Sequence, residues 1–444
     1  MSGPSRPHVL ILGGGYVGLY TAWGLQKAMS STPMRVTVVE PNPYMTYQPL
    51  LPEVAGGQVD PKNVTVPLTQ HLRKVEVFRG KLESLDSNAK TAVLESITGE
   101  KKEVAYDHVV FATGAVTRTF PTPGLSENAV GFKTLEEAQY VRDRVLDNIA
   151  LAASTTDPAE RKKALTFVFI GGGYTGVEAL GELNDLSKLA VDTYPQLDRS
   201  ELNWVLIEAL DRVAPEVGPT LSKYTLGELR SRGIDVRFTT TVKSCENSDV
   251  VLSTGEVIPA GTIVWTAGVK PNPVLDRTDI PRGPKGHVNA NAKLQVIRED
   301  GSRVDGAWAA GDNAQVPDLT AGKQPAYYPP NAQNAVRQAK LLAKNIVAEM
   351  HGGEAAEYRH GSIGTVASYG FGKGAGKIRS LKLRGPLAWL AHRGYHGLAM
   401  PTVGRKVRIL GGWVTGLVTP RDLTSLSATE HPRKAFVDVT PAKK

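Results

Sequence analysis

The sequence predicts an α/β fold with two parallel-sheet domains of one kind and a small basic C-terminal region. Three observations predict it. A glycine-rich turn joins an apolar strand to a helix near the N-terminus. The same arrangement returns in the middle of the chain. Positive charge gathers from Lys377 onward, where 13 Lys or Arg face three Asp or Glu, a net of +10, while the whole chain carries +8.

The first unit is His8 to Glu40, HVLILGGGYVGLYTAWGLQKAMSSTPMRVTVVE. Val9 to Leu12 is an apolar run of strand length, and Gly13, Gly15 and Gly18 fall in the G-x-G-x-x-G frame around Gly14. A helical segment follows, then a second buried strand, Val36 to Val39, ending on Glu40. Gly13 permits the tight turn, Gly15 lets a pyrophosphate approach the backbone, and Gly18 lets helix and strand pack closely. The helix N-terminus offers unpaired N–H groups to phosphates, and Glu40 can accept from an adenosine ribose. A lone glycine motif is equally an ordinary turn. The strand before, the helix after and the terminal acid make this one a Rossmann-like unit.

The second unit decides the fold. Ala164 to Glu182, ALTFVFIGGGYTGVEALGE, repeats the frame with Gly171, Gly173 and Gly176, and NWVLIE ends the next strand on Glu208. Two such units predict two dinucleotides. The repeat extends further: the strand ending at Phe111-Ala112-Thr113-Gly114 is matched by Trp265-Thr266-Ala267-Gly268.

Composition limits the alternatives. A chain of 444 residues with 41% hydrophobic and 22% charged residues can bury two or three globular cores. No apolar run approaches the roughly 18 residues of a spanning helix, and no signal peptide is expected. The one cysteine, Cys245, excludes an internal disulfide and fits a reducing cytosol.

Between the glycine units, Pro41 to Pro67 is rich in Pro, Gly and aromatics and reads as a long loop, either functional or a plain surface excursion. Glu76 to Val110 reads as short strands and hairpins. Leu135 to Ala153 has helical spacing, and Asp157 to Lys163 reads as a polar lead-in. After Glu208 a helix is expected over Leu221 to Arg232, with strands near Val236 to Val242 and Val250 to Leu252. In DGAWAAGD, Ala307 to Ala310 is an apolar strand followed by Gly311-Asp312. An acid there can bond a flavin ribitol chain, or merely cap a turn.

The order GGGYVG, Glu40, FATG, GGGYTGVE, Glu208, WTAG and AAGD resembles the two-dinucleotide-domain flavoprotein reductases. Within them, YQPLLPEVAGG (Tyr47 to Gly57), GVEALGEL (Gly176 to Leu183) and PPNAQNAVRQ (Pro329 to Gln338) resemble the type II NADH dehydrogenases, single-chain NADH:quinone oxidoreductases that pump no protons. The resemblance covers roughly residues 7 to 425. Disulfide reductases and sulfide:quinone reductases of the superfamily need several cysteines, which one Cys245 cannot supply.

The resemblance implies four segments: residues 1–120 and 286–375 for the FAD domain, 121–285 for the NADH domain, and 376–444 for a membrane-facing basic region. FAD would sit on Gly13, Gly14, Gly15, Gly18, Glu40, Ala112, Thr113, Gly114, Gly311 and Asp312. NADH would sit on Gly171, Gly173, Gly176, Glu208 and Gly268. Glu208 would repel a 2′-phosphate, favouring NADH, although Arg212 is near in sequence. Glu178, read as lying in the first turn of its helix, is placed by the resemblance as a positioning or proton-relay group. An acid there also suits the helix dipole.

Gln333 matches the first Gln of the family's quinone motif, Ala-Gln-x-Ala-x-Gln, and Ala332 beside it joins the cofactor-binding set. The second Gln is replaced by Arg337, with Gln338 one step later. Either a cation stabilises the developing anion of the quinone, or the helix register differs. A plain helix start is the alternative without an acceptor.

In the tail, Trp389, Tyr395, Trp413 and several aliphatic residues alternate with Lys and Arg. This pattern fits short helices on an anionic bilayer, with Trp389, Tyr395 and Trp413 as interface anchors, at the cytoplasmic face of the cell membrane. The stretch could instead pack on the chain's own core or on a second copy in a homodimer. Nucleic acid is not expected, because no binding motif accompanies the charge. Two other functions compatible with the motifs are a soluble NAD(P)H reductase with a protein or small-molecule acceptor, and a slowly turning redox-sensing FAD/NADH-binding protein.

Overall fold

A computed structural model describes residues 6–362 and 364–439. In chain order the elements used below are β1 (His8–Leu12), α1 (Tyr16–Ala28), β2 (Arg35–Glu40), α2 (Leu51–Ala55), β3 (Glu76–Asp86), β4 (Thr91–Ser96), β5 (Lys101–Ala105), β6 (His108–Phe111), β7 (Ala129–Val130), α3 (Leu135–Ser154), β8 (Thr166–Ile170), α4 (Tyr174–Val191), β9 (Asn203–Ile207), β10 (Ile234–Arg237) and β11 (Thr262–Trp265). Then come β12 (Gln295–Ile297), β13 (Arg303–Ala309), α5 (Ala332–Met350), β14 (Gly364–Ser368), β15 (Gly374–Ile378), β16 (Leu381–Arg384), α6 (Gly385–Ala399) and α7 (Val403–Thr415). The chain folds into two compact units. One holds residues 1–46, 65–116 and 269–362, and the other 47–64, 117–268 and 363–444.

The first unit carries an eight-stranded sheet in the order β12-β13-β6-β1-β2-β3-β4-β5. Its centre, β13 to β3, is parallel, and antiparallel strands finish both sides. Every residue of β1 is buried, as a strand covered on both faces requires. Removing Leu10 and Ile11 from water contributes about 1.5–3 kcal/mol each. Helices α1 and α5 pack together, with Gly24 against Ala343, where an added Cβ would lie 2.5 Å from the alanine Cβ.

The second unit has a five-stranded parallel sheet, β7-β11-β8-β9-β10. Phe167 and Trp204 stack across β8 and β9 at 4.6 Å between centroids. A capping box starts α3: Thr134 Oγ1 accepts from the Glu137 N–H, and the Glu137 carboxylate accepts from Thr134 N–H. Strands β14, β15 and β16 form a small antiparallel sheet that leads into α6 and α7.

Several expectations are corrected. Pro41 to Pro67 is not a bare loop. It contains two short strands, two 3-10 turns and α2, and Leu50 to Ala55 are all buried. Its apolar residues lack periodicity because each element is too short to show one. Asp157 to Lys163 is mostly helix, Pro158–Ala164, capped by Asp157. The basic tail opens with strand rather than helix, and residues 440–444 of it lie outside the described residues.

Candidate functional site: two nucleotide cradles and a buried acid cluster

In the first unit Gly13 leaves β1 at φ +107, and a Cβ there would stand 2.4 Å from Ala112 O. A Cβ at Gly18 would stand 1.9 Å from Gly13 O, so neither position tolerates a side chain. Gly15 instead faces open space, with nothing within 4 Å of an added Cβ. That is the form of a loop on which a phosphate can rest. Glu40 closes it: Oε2 accepts from Gly14 N–H at 2.7 Å and Oε1 from Asn42 N–H at 3.0 Å. Burial raises the Glu40 carboxyl above the usual range.

The two other expected segments meet this loop within the same unit. Gly311, at φ +76, would place a Cβ 2.6 Å from Val17 Cγ2 on α1. The 3-10 turn Gly311–Asn313, which contains Asp312, is tied to the Ala112–Gly114 turn by Asn313. Asn313 Oδ1 accepts from Gly114 N–H at 3.1 Å, and Nδ2 donates to Phe111 O at 3.0 Å. The Thr113 hydroxyl is buried without a partner among the described residues. An open glycine loop, a closing acid and an orphaned hydroxyl fit a dinucleotide such as FAD. Asn313 was not anticipated, although it directly follows Asp312 in the sequence.

Ala332 begins α5, capped by Asn331. Gln333 and Arg337 are half-buried one turn apart, and Arg337 Nη1 donates to Gln333 O at 3.2 Å. Gln338 is buried, and its Oε1 accepts from Gly311 N–H at 2.7 Å. That bond commits the second glutamine to the backbone and leaves Arg337 on the more open face.

The second unit repeats the cradle. Gly171 turns at φ +112, and a Cβ at Gly176 would meet Gly171 O at 2.0 Å. Glu208 is buried and accepts from Gly172 N–H at 2.6 Å and Leu210 N–H at 2.8 Å. Gly268, at φ +95, faces open space. Arg212 is held by Asp211 at 2.8 Å. The expected residues thus divide cleanly, Gly13 through Arg337 in one unit and Gly171 through Gly268, with Glu178, in the other.

Glu178 lies on α4 in the second turn, not the first: the helix starts at Tyr174 and has no acid in its first turn. The dipole account of it is therefore weak, since that effect fades beyond the terminal turn. Its Oε1 accepts from Ser368 N–H at 3.0 Å and stands 3.3 Å from His392 Nε2. Burial, reinforced by Glu182, pushes the Glu178 carboxyl up to about 8 against the Ser368 bond.

Around it lies a buried polar cluster that sequence reasoning missed. His392 Nδ1 stands 3.6 Å from Glu53 Oε1. Arg421 pairs with Glu182 at 3.1 Å, and Gln58 bridges Glu182 and Arg393. The Arg393 guanidinium lies 4.5 Å from the Trp389 ring and 5.0 Å from that of Trp413. Trp389 is buried and not an exposed anchor, because its face is spent on that cation. Glu53 stood in the YQPLLPEVAGG segment, but nothing local marks one acid of a loop as buried.

The chain matches the model of the pyridine nucleotide-disulphide oxidoreductase family over residues 7–339. It is 26% identical to the probable NADH dehydrogenase of Dictyostelium discoideum, over 94% of this chain and 91% of that one. It is 27% identical to the type II NADH:quinone oxidoreductase Ndh of Mycobacterium tuberculosis, over 94% and 89%. Among solved structures, NDH2 from Plasmodium falciparum in complex with NADH superposes with a TM-score of 0.86 at 18% identity, over 94% of this chain and all of that one. With both glycine cradles inside the matched range, the chain belongs to the pyridine nucleotide-disulphide oxidoreductase family.

Proposed function

We propose that this chain is an FAD-dependent NADH:quinone oxidoreductase of the type II kind, passing two electrons from NADH to a membrane quinone without pumping protons. One observation carries the choice of acceptor within the family. The chain has two dinucleotide cradles but a single cysteine, Cys245, which is buried and whose thiol burial pushes up to about 11. Electrons therefore have no thiol pair to reach. Relatives similar along nearly the whole chain bear the quinone oxidoreductase name.

FAD, when bound, supplies two-electron exchange between a nicotinamide and a quinone. The Gly13 to Gly18 loop and the N-terminus of α1 hold its pyrophosphate, Glu40 its ribose and the Gly311–Asn313 turn its ribitol. Gly171, Gly173 and Gly176 hold NADH, with Glu208 on the adenosine ribose. Glu208 disfavours a 2′-phosphate, and the nearby Arg212 is turned to Asp211 at 2.8 Å. Gln333 donates to a quinone carbonyl, and Arg337 stabilises the negative charge that develops on it.

Helix α7 supports a peripheral membrane site; the cytoplasmic face belongs to the same proposal. Val403, Val407, Leu410 and Val414 are exposed on one face at helical spacing, with Lys406 at its edge and Arg408 exposed further round the helix. The same stripe could pair two copies of the chain, but the segment that carries it is the basic part of the sequence. An anionic surface satisfies both stripe and charge. No described helix is long and apolar enough to cross a membrane.

The test is anaerobic NADH oxidation by FAD-loaded protein, with and without a menaquinone analogue in anionic liposomes. Flavin bleaching by NADH and turnover that depends on quinone are expected. Bleaching without quinone turnover moves the acceptor elsewhere, to a soluble protein or small oxidant. Absence of bleaching ends the NADH assignment.

A further inference from the structure

The reaction NADH + H⁺ + quinone → NAD⁺ + quinol consumes one proton that NADH does not bring. The second unit contains side chains arranged to conduct one. His392 is 3% exposed in its side chain and lies between two carboxyls on different elements, Glu53 on α2 and Glu178 on α4. Each ring nitrogen faces one of them, Nδ1 toward Glu53 Oε1 at 3.6 Å and Nε2 toward Glu178 Oε1 at 3.3 Å. Both Glu53 oxygens and His392 Nδ1 are buried without a hydrogen-bond partner among the described residues.

We propose that His392 is a proton-shuttling residue linking the buried carboxyls of Glu53 and Glu178. The inference rests on the quinone-reductase reading above. A neutral imidazole has one donor and one acceptor nitrogen. Glu178 rests protonated like Glu53; once it has given up its own proton to the reaction, Nδ1 takes the proton of Glu53, Nε2–H gives its proton to the carboxylate left at Glu178, and the ring then exchanges tautomers. One O–H bond breaks at Glu53, one forms at Glu178, and no electrons move. Two facts make the direction workable. Burial holds His392 down to about 3, so the ring waits as the neutral acceptor. Burial and the neighbouring Glu182 and Glu178 push Glu53 up to about 8 against Arg393, so Glu53 carries a proton to give at neutral pH.

A second imidazole packs beside the first. His396, one turn along α6, is half-buried, with its ring 4.4 Å from that of His392, and its Nδ1 shares a 3.0 Å hydrogen bond with Tyr47 Oη. Tyr395 beside it is 42% exposed. The remaining charges facing the relay are Glu182 on α4, Arg393 on α6 and Arg421. Glu182 is neutralised by Arg421 at 3.1 Å and hydrogen-bonded by Gln58, so it is not in the path.

The experiment separates the two half-reactions in FAD-loaded His392→Gln, His392→Ala and Glu53→Gln by stopped flow, with a soluble ubiquinone analogue as acceptor. Reduction of the flavin by NADH needs no outside proton and is expected within about twofold of the parent. Reoxidation by quinone is expected to slow about 10-fold or more, with a larger solvent deuterium effect and an altered pH profile. Added imidazole should restore much of it in His392→Ala. Reoxidation at the parent rate in His392→Gln and Glu53→Gln overturns the proposal. So does an equal loss in both half-reactions, or slowing that neither imidazole nor deuterium affects. A parent protein that NADH bleaches but quinone never reoxidises overturns the functional reading instead, and the relay with it.

Discussion

Gln338 Oε1 accepts the N–H of Gly311 at 2.7 Å, and this one bond fixes which side of α5 each neighbouring residue presents. The glutamine that resembles a displaced quinone ligand is structural, and Arg337 holds the position the motif assigns to the second Gln. Gln338→Leu should leave the partly buried Gly311 N–H unsatisfied and cost about 1–3 kcal/mol, read as a lower thermal midpoint and weaker flavin retention. Arg337→Gln should keep the midpoint and raise the quinone KM by about 10-fold, because it removes the cation and leaves the fold intact. Equal loss of stability in both variants would contradict this division.

The second glycine cradle gives a graded pair. A Cβ at Gly176 would lie 2.0 Å from Gly171 O, whereas one at Gly173 would meet only Glu216 Oε1 at 3.7 Å. Gly176→Ala should therefore lower the thermal midpoint as well as weaken NADH binding, whereas Gly173→Ala should keep the midpoint and still raise the Kd for NADH by about 10-fold or more, because its methyl fills the space in which the pyrophosphate rests. Both should retain bound FAD, since the other cradle lies in the other unit. Flavin absorbance and NADH titration of the purified variants decide it.

How much was legible in the sequence follows from where the information sits. Glycine loops and their terminal acids are local patterns, so Gly13 to Glu40 and Gly171 to Glu208 could be read along the chain. Gln338 could not be assigned, because its partner, Gly311, is remote in sequence and only the fold brings it near. Glu53, Glu178 and His392 converge from three separate stretches, so no spacing rule links them. His392 and Arg393 were also hidden in a basic tail whose composition suggested a surface, whereas the structure turns one face of α6 inward. Trp389 was misread for the same reason.

Stability should fall as pH rises through the neutral range. Glu53 and Glu178 are both pushed from 4.5 to about 8, so the fold prefers their protonated forms. That contribution is fully present below about 4.5 and is lost as pH rises through about 8. His392, held down to about 3, has the opposite sign and loses its contribution only as pH falls below about 6.5. Glu53→Gln mimics the protonated acid and does not titrate. It should match the parent near pH 5 and melt a few degrees higher near pH 8.5. Thermal melts across that range give the answer. A parallel offset at every pH would mean that Glu53 is not the titrating group.

The exposed face of α7 makes the last prediction. Val407 is 65% exposed and Val403 75%, while Ile409 is buried, so the helix has one face inside and one apolar face bare. A single Val407→Asp places a charge in the stripe without touching the packed side. If the stripe enters an anionic bilayer, the substitution forfeits roughly the transfer energy of a valine and adds repulsion from the lipid charge. Vesicle co-sedimentation should then weaken by about 10-fold or more, and the binding that remains should fall further with salt. Turnover with a water-soluble quinone should stay at the parent level, because Val407 touches neither cradle nor acid cluster. If vesicle binding persists while sedimentation analysis shows a parent dimer becoming a monomer, the stripe joins two copies of the chain instead.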